Sequence, residues 1–446
     1  MAEPIPLATP DLRVTTLGER RVPSPLRIDR FTPDAARLLV EIDWVEGGGV
    51  DGEGADEKKG ADRHGPPRSF EKAGPRERLY FDPSESRAAI VTCGGLCPGL
   101  NNVIRHLTYA LREGYGVPSV LGARNGYLGL TPGSPKAPIE LTDDVVSSIH
   151  HHGGTLLGTS RGPQDPAVMV DYLAGLGVNL LFPIGGDGTQ RGAHAIAQEA
   201  LRRGIDLAVV GVPKTIDNDI RYCFQTFGFL TAVSEAERVI DCAHTEAKSV
   251  ARGVGLVKLM GREAGFIAAA ATIASGEVNF CLVPEQPLVL EGDDGFLAKL
   301  DRRLDRRDHA VIVVAEGAGQ NLIEDGNADE RDQSGNRLLS DVGLFLKQRI
   351  PAHFKSIGKP IGMKYFDPSY YIRSVPANAA DSLLTERFAR HAAHAAMAGK
   401  TDLFVGYWNG RVVHVPLAAS VGQSRRLVPD SELWNAVQAI TRQHAV

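Results

Sequence analysis

This sequence of 446 residues offers little that would place it in a membrane or on nucleic acid. No apolar run approaches the ~20 residues that span a bilayer. The N-terminus lacks a basic start followed by an apolar stretch, so no signal peptide is expected and a cytoplasmic location is. A net charge of −5 gives no general attraction to nucleic acid or anionic lipid, which leaves local basic patches for anionic metabolites. Cysteine is sparse: Cys93, Cys97, Cys223, Cys242 and Cys281 form an odd set without paired zinc spacing. Free thiols, buried or half-buried in a reducing compartment, are expected. No fixed-period repeat is present.

What the chain does have is Gly185-Gly186-Asp187-Gly188-Thr189. It follows an apolar run, Asn179 to Ile184, and precedes a helix-like stretch from Gln190 to Gly204. That order predicts a buried parallel strand, a glycine turn and a helix N-terminus. Glycines there let the backbone approach a phosphate, and the helix end presents free N–H groups to it. The Asp187 carboxylate would oppose a phosphate unless a cation lay between them, which points to Mg²⁺. A tight turn capped by an acid is the plain alternative.

A second strand, Ala208 to Val212, runs into Pro213-Lys214-Thr215-Ile216-Asp217-Asn218-Asp219. In extended backbone the two carboxylates, two residues apart, lie on one side. An acid beside a second acid and a phosphate site has a raised pKa, which suits a general base toward an alcohol. Lys214 adds a cation and Thr215 a hydroxyl. A solvated Asx-rich turn is the alternative.

With Gly94-Gly95-Leu96-Cys97-Pro98-Gly99-Leu100-Asn101-Asn102, Met260-Gly261-Arg262 and Pro368-Ser369-Tyr370-Tyr371-Ile372-Arg373, these loops stand in the order seen in 6-phosphofructokinases. The chain resembles that family from about Ser86 to Asp381. It is most similar to the branch holding plant and trypanosomatid ATP-dependent enzymes and many pyrophosphate-dependent ones. NAD kinases and diacylglycerol kinases share the GGDGT loop but lack the other motifs in this order. A non-catalytic nucleotide-binding subunit is disfavoured because Asp187 and Asp217 are both present.

Strand-like and helix-like stretches alternate from Ser86 onward, which predicts an α/β fold with mainly parallel sheets. The expected architecture is two Rossmann-like three-layer α/β domains with a cleft between them, plus an N-terminal extension. Residues 1–85 are read as that extension, and Phe31 to Trp44 as a short ordered element. Gly47 to Arg78, rich in glycine, proline and charge, reads as a flexible surface linker. Residues 86–228 are assigned to nucleotide binding, completed by part of 374–446, and 229–373 to the sugar phosphate. A C-terminal helix and a hairpin around Asn409-Gly410 close the chain.

The resemblance implies residue roles. Gly95, Arg161, Gly162, Gly186, Asp187, Gly188 and Thr189 would line the nucleotide, with Asp187 toward Mg²⁺. Asp217 would be the base toward the sugar 1-hydroxyl, and Arg161 would reach the transferring phosphoryl group. Thr215, Ile216, Asp219, Met260, Gly261, Arg262, Glu316, Tyr370 and Arg373 would contact the sugar phosphate. For Tyr370 and Tyr371 core packing is the alternative, expected of at least one. Lys364 is a weaker candidate, and Arg252 lies near an arginine that some relatives use across a subunit interface. His150-His151-His152 reads as a solvated helix end or loop rather than a metal site, because consecutive residues do not share a helical face. Gly188 matches ATP users, since an aspartate there would crowd the α-phosphate. Lys214 matches pyrophosphate users. Steric exclusion is the harder constraint, so ATP is the expected donor and pyrophosphate the alternative. Fructose 6-phosphate is the expected acceptor, sedoheptulose 7-phosphate the alternative, and a homodimer or homotetramer is expected.

Overall fold

The structure, a computed structural model, describes residues 10–41, 67–323 and 338–443. The strands of its two larger sheets, in chain order, begin with β1 (Arg37–Leu39), β2 (Ser69–Lys72), β3 (Arg87–Thr92), β4 (Ser119–Ala123), β5 (Ile139–Glu140), β6 (Leu180–Gly185) and β7 (Ala208–Pro213). They continue with β8 (Gly253–Leu259), β9 (Phe280–Leu282), β10 (His309–Ala315), β11 (Gly362–Phe366), β12 (Leu403–Trp408) and β13 (Arg411–Pro416). A nine-stranded sheet has the order β1-β2-β13-β12-β7-β6-β3-β4-β5, and a four-stranded sheet the order β9-β10-β8-β11. The inner run β12, β7, β6, β3, β4 is parallel and both flanks are antiparallel. Every pairing in the smaller sheet is parallel.

The parallel strands form because their sequences are unbroken apolar runs, as strands covered on both faces require. All residues of β6 and β7 are buried. Each fully buried Leu, Ile or Val contributes about 1.5–3 kcal/mol relative to exposure. The helices that matter for the site are α1 (Leu100–Tyr109), α2 (Asp187–Arg202), α3 (Phe229–Lys248), α4 (Phe266–Ser275) and α5 (Ala379–Met397). Helix α5 packs on α1 and on the larger sheet, while α3 packs on α4 and the smaller sheet. After α5 the chain returns to the larger sheet as the β12–β13 hairpin, turning at Asn409-Gly410. The mixed α/β expectation holds.

The N-terminal region departs from its expected character. Residues 47–66 of the proposed linker lie outside the described residues, but Ser69–Lys72 is a strand of the larger sheet. Phe70 is fully buried, with its ring 5.3 Å from Tyr222 and 5.9 Å from Trp408. Glu71 accepts from Arg76 at 2.8 Å, Lys400 at 2.7 Å and His414 at 3.1 Å. Burial works against the Glu71 charge, yet His414 and Lys400 hold its carboxyl well below the usual range. Arg78–Leu79 pairs with Val22–Pro23, and Thr15–Thr16 with Lys400–Thr401. Charged and proline-rich flanks hid a segment that one buried aromatic ring and one ion cluster fix in place.

Candidate active site

The motif loops leave the carboxyl ends of parallel strands, where open α/β sheets bind ligands. The loop Gly94 to Gly99 follows β3, Gly186 to Thr189 follows β6, and Lys214 to Asp219 follows β7. From the smaller sheet, Met260 to Arg262 follows β8, Glu316 follows β10, and Tyr370 to Arg373 lies beyond β11.

The three loops of the larger sheet are tied to one another. Lys214 donates its ammonium to the Gly95 carbonyl at 2.8 Å and its N–H to the Gly185 carbonyl at 3.0 Å. Gly94 N–H meets the Ser160 carbonyl at 3.4 Å, which places the Thr159 to Gly162 loop alongside. Arg161 there is exposed. Gly99 starts α1 at φ 102°, and a Cβ on it would come within 2.9 Å of the Phe227 ring, so only glycine fits.

Helix α2 begins at Asp187, with Gly186 as its extended N-cap. The Asp187 side chain is 40% exposed, pairs with Arg191 at 3.3 Å and accepts the Gly422 N–H at 3.1 Å. A single half-exposed carboxylate at a helix N-terminus fits Mg²⁺, which keeps water and phosphate oxygens in its shell. No group of three or more acidic, His or Cys side chains among the described residues could hold a metal by itself. A Cβ on Gly188 would find nothing nearer than Arg191 Nη2 at 3.8 Å, so the site is roomy at that point.

The Lys214 to Asp219 loop is closed and buried. Thr226 donates its hydroxyl to the Thr215 carbonyl at 2.6 Å and its N–H to Asn218 Oδ1 at 2.9 Å. Asn218 sits at φ 57°, a conformation asparagine tolerates better than most residues. Asp217 N–H donates to Thr215 Oγ1 at 3.1 Å. Ile216, between them, is buried. Burial raises the Asp217 pKa, the charges of Asp219 and Glu316 raise it further, and Arg262 and Lys214 offset part of this, leaving it at about 8. Burial also raises Asp219 and lowers Lys214.

The second sheet's residues Arg262 and Glu316 lie near enough to the acid loop for their charges to act on Asp217. Arg262 N–H donates to Glu316 Oε1 at 2.8 Å. Gly261 adopts φ 141°, where a Cβ would meet the Ala264 carbonyl oxygen at 2.3 Å, so the turn after Met260 needs glycine. Arg373 crosses to the first glycine loop, its Nη1 lying 4.0 Å from where a Gly95 Cβ would be. Its guanidinium stacks over Tyr370 at 4.5 Å.

The core-packing reading of the tyrosine pair changes. Tyr370 and Tyr371 are 80% and 53% exposed, so neither is core, and Tyr371 donates to Glu235 at 2.7 Å. Arg252 is engaged within its own chain, with Asp301 at 2.7 Å and Asp305 at 2.5 Å. Lys364 pairs with Glu246 at 3.8 Å. Ile149–His151 forms a 3₁₀ turn, and the His152 carbonyl accepts from Asn101 at 3.0 Å. Four cysteines are buried and Cys242 is exposed. Sequence reasoning passed over the segment Gly422 to Leu427, whose backbone bonds to Asp187, Asp219 and Glu285. Its only outward signal is the pair Arg425-Arg426 in an otherwise polar stretch.

Glycine loops and a buried acid at the strand ends of one parallel sheet, met by Arg262 and Glu316 from a second α/β sheet, define a two-lobed phosphotransferase class. The chain belongs to the phosphofructokinase family: that family's profile, described as Phosphofructokinase, matches residues 87–396. It is 47% identical over 380 residues to the ATP-dependent 6-phosphofructokinase of Borreliella burgdorferi, covering 84% of this chain and 85% of that one. It is 45% identical over 452 residues to the ATP-dependent 6-phosphofructokinase of Amycolatopsis methanolica, covering 98% and 95%. Plant and trypanosome proteins of the same description are also among its relatives, in keeping with the expected branch. Among solved structures, the pyrophosphate-dependent phosphofructokinase of Marinobacter aquaeolei shares the fold, with TM-score 0.65 and 21% identity over 80% of this chain and 91% of that one.

Proposed function

We propose that this protein transfers the γ-phosphoryl group of MgATP to the 1-hydroxyl of fructose 6-phosphate, giving fructose 1,6-bisphosphate. The observation that carries the mechanism is Asp217: a buried carboxyl with a raised pKa, flanked by Arg262 and Glu316 from the other sheet. A base with a pKa near the working pH takes the hydroxyl proton most effectively. Arg161 and the N–H groups at Gly186 to Gly188 hold the phosphoryl oxygens, with Thr189 alongside. Arg262 and Arg373 grip the 6-phosphate and so set the distance from Asp217 to the reacting hydroxyl. Thr215, Asp219, Glu316 and Tyr370 orient the sugar. Catalysis of this kind is mainly positioning and charge stabilisation. Asp187 would hold Mg²⁺, which would supply positive charge to offset that of the nucleotide phosphates.

ATP as donor is supported by the open space at Gly188 and by the relatives' descriptions. Lys214 is bonded to the Gly95 carbonyl, so it buttresses the glycine loop whichever donor is used. No described helix is long and apolar enough to cross a membrane. A homodimer or homotetramer belongs to the same proposal, and light scattering of the purified protein tests it.

The deciding assay compares ATP with pyrophosphate, and fructose 6-phosphate with sedoheptulose 7-phosphate, in the presence of Mg²⁺. Turnover of fructose 6-phosphate with ATP is expected, and turnover with pyrophosphate alone would overturn the reading of Gly188. Gly188→Asp places a like charge against the nucleotide, at a cost of several kcal/mol. Activity with ATP should fall more than about a hundredfold, since each 1.4 kcal/mol is tenfold.

A further inference from the structure

The segment Gly422 to Leu427 lies between the two sheets and touches three of the loops the mechanism uses, those at Asp187, Asp219 and Arg262. Gly422 N–H donates to the Asp187 carboxylate at 3.1 Å. Ser424 makes an antiparallel bridge with Ile220, directly after the acid loop. Arg425 N–H donates to the Asp219 carbonyl at 2.7 Å. Arg426 pairs with Glu263, which follows Arg262. Leu427 N–H donates to Glu285 Oε1 at 2.8 Å, and the same carboxylate accepts the Gly265 N–H at 3.0 Å.

Arg425 is the centre of this strap. Its guanidinium lies 4.5 Å from the Phe266 ring centre and 5.4 Å from that of Phe224. It also donates to the Cys223 carbonyl at 3.3 Å and the Phe224 carbonyl at 2.7 Å. Phe224 belongs to the larger sheet's acid-loop return, and Phe266 opens α4 beside the smaller sheet. One side chain therefore bonds to one lobe and stacks on the other. A planar guanidinium can stack and donate in its own plane at once, whereas an ammonium cannot do both.

Resting on the assignment of Asp217 as base and Asp187 as the metal-side acid, we propose that Arg425 is a positioning residue for phosphoryl transfer. Through the strap it fixes the spacing between the phosphate-side loop at Asp187, the acid loop at Asp219 and the sugar-side loop at Arg262. The transferring group must span the first two while Arg262 holds the sugar. A small error in their spacing is costly in rate, because the reacting atoms must meet at near contact distance.

The test uses the full-length protein with Arg425→Ala, Arg425→Lys and Phe224→Leu, with Asp217→Asn assayed in parallel. For Arg425→Ala we expect kcat to fall by about ten- to a hundredfold. The Michaelis constant for ATP should change by less than about threefold, the pattern of an interaction lost in the transition state. Arg425→Lys should not restore the rate, since it keeps the charge and loses the planar stack. Phe224→Leu should give a smaller fall in the same direction, and it removes a side chain that is 57% exposed, so the fold survives. If Arg425→Ala and Phe224→Leu unfold at wild-type temperature and turn over within twofold of wild type, the positioning role is wrong. If Arg425→Ala does not fold, Phe224→Leu alone decides. Wild-type turnover in Asp217→Asn would instead overturn the base assignment, whatever the Arg425 variants do.

Discussion

Asp187 and Asp217 both lie just past the carboxyl ends of neighbouring parallel strands, yet their surroundings differ. Asp187 opens a helix, is 40% exposed and is paired with Arg191. Asp217 is nearly buried in a loop locked by Thr226 and Asn218, with two further carboxylates close by. The exposed acid can share a hydrated cation with phosphates, while the buried one is costly to ionise and so is ready to take a proton. Position at a strand end brings an acid to the cleft, and its burial decides what the acid does there.

The strongest way to break this comparison is Asp217→Asn. Loss of a general base typically costs 10²–10⁴-fold, so kcat should fall by about that factor while fructose 6-phosphate still binds. Isothermal titration with the sugar phosphate alongside turnover separates the two effects. Phe70→Ala attacks the support behind the acid loop, because Phe70 packs on Tyr222, three residues past Asp219. Removing a fully buried Phe costs about 3–5 kcal/mol. Denaturant unfolding should show that loss, and an unchanged midpoint would mean β2 is dispensable.

Asp187→Asn is milder. It should raise the Mg²⁺ concentration needed for half-maximal rate by about 10–100-fold, the usual range for disturbing metal-site partners. Excess Mg²⁺ should recover part of the rate, whereas it should do nothing for Asp217→Asn. A separate effect is on stability against pH. Asp217 has a folded pKa raised above its unfolded value, so the folded state holds its proton longer. Its contribution is fully present below about pH 4 and is lost as pH rises toward about 8. Asp217→Asn should therefore melt at or above the wild-type temperature at pH 8, with the gap narrowing at pH 5. A variant less stable than wild type at pH 8 would show that the buried carboxylate is stabilising.

The strand ends and their loops were legible because parallel strands buried on both faces read as continuous apolar runs, ended by glycine after Ile184 and by proline after Val212. Gly185 to Thr189 and Lys214 to Asp219 could be placed from that pattern alone. The nature of Asp217 was legible in outline from the neighbouring Asp219, but the contribution of Glu316 depends on the second sheet closing over it. Tyr370 and Tyr371 misled because an aromatic pair suggests core, while the turn beyond β11 leaves both exposed. Phe70 was hidden among charges, and Gly422 to Leu427 had no periodicity to read. Its backbone N–H groups, which any sequence supplies, make most of its contacts.

The most direct test of Asp217 as the base is the pH dependence of kcat/KM for fructose 6-phosphate with saturating MgATP, in wild type and Asp217→Asn. In wild type the rate should fall on the acid side with an inflection far above that of an ordinary carboxylate. That limb should be absent from the variant, while any limb from the substrate phosphate, near pH 6, should persist in both. A wild-type profile flat down to about pH 5, or a limb that survives unchanged in Asp217→Asn, would contradict the assignment of Asp217 as the base.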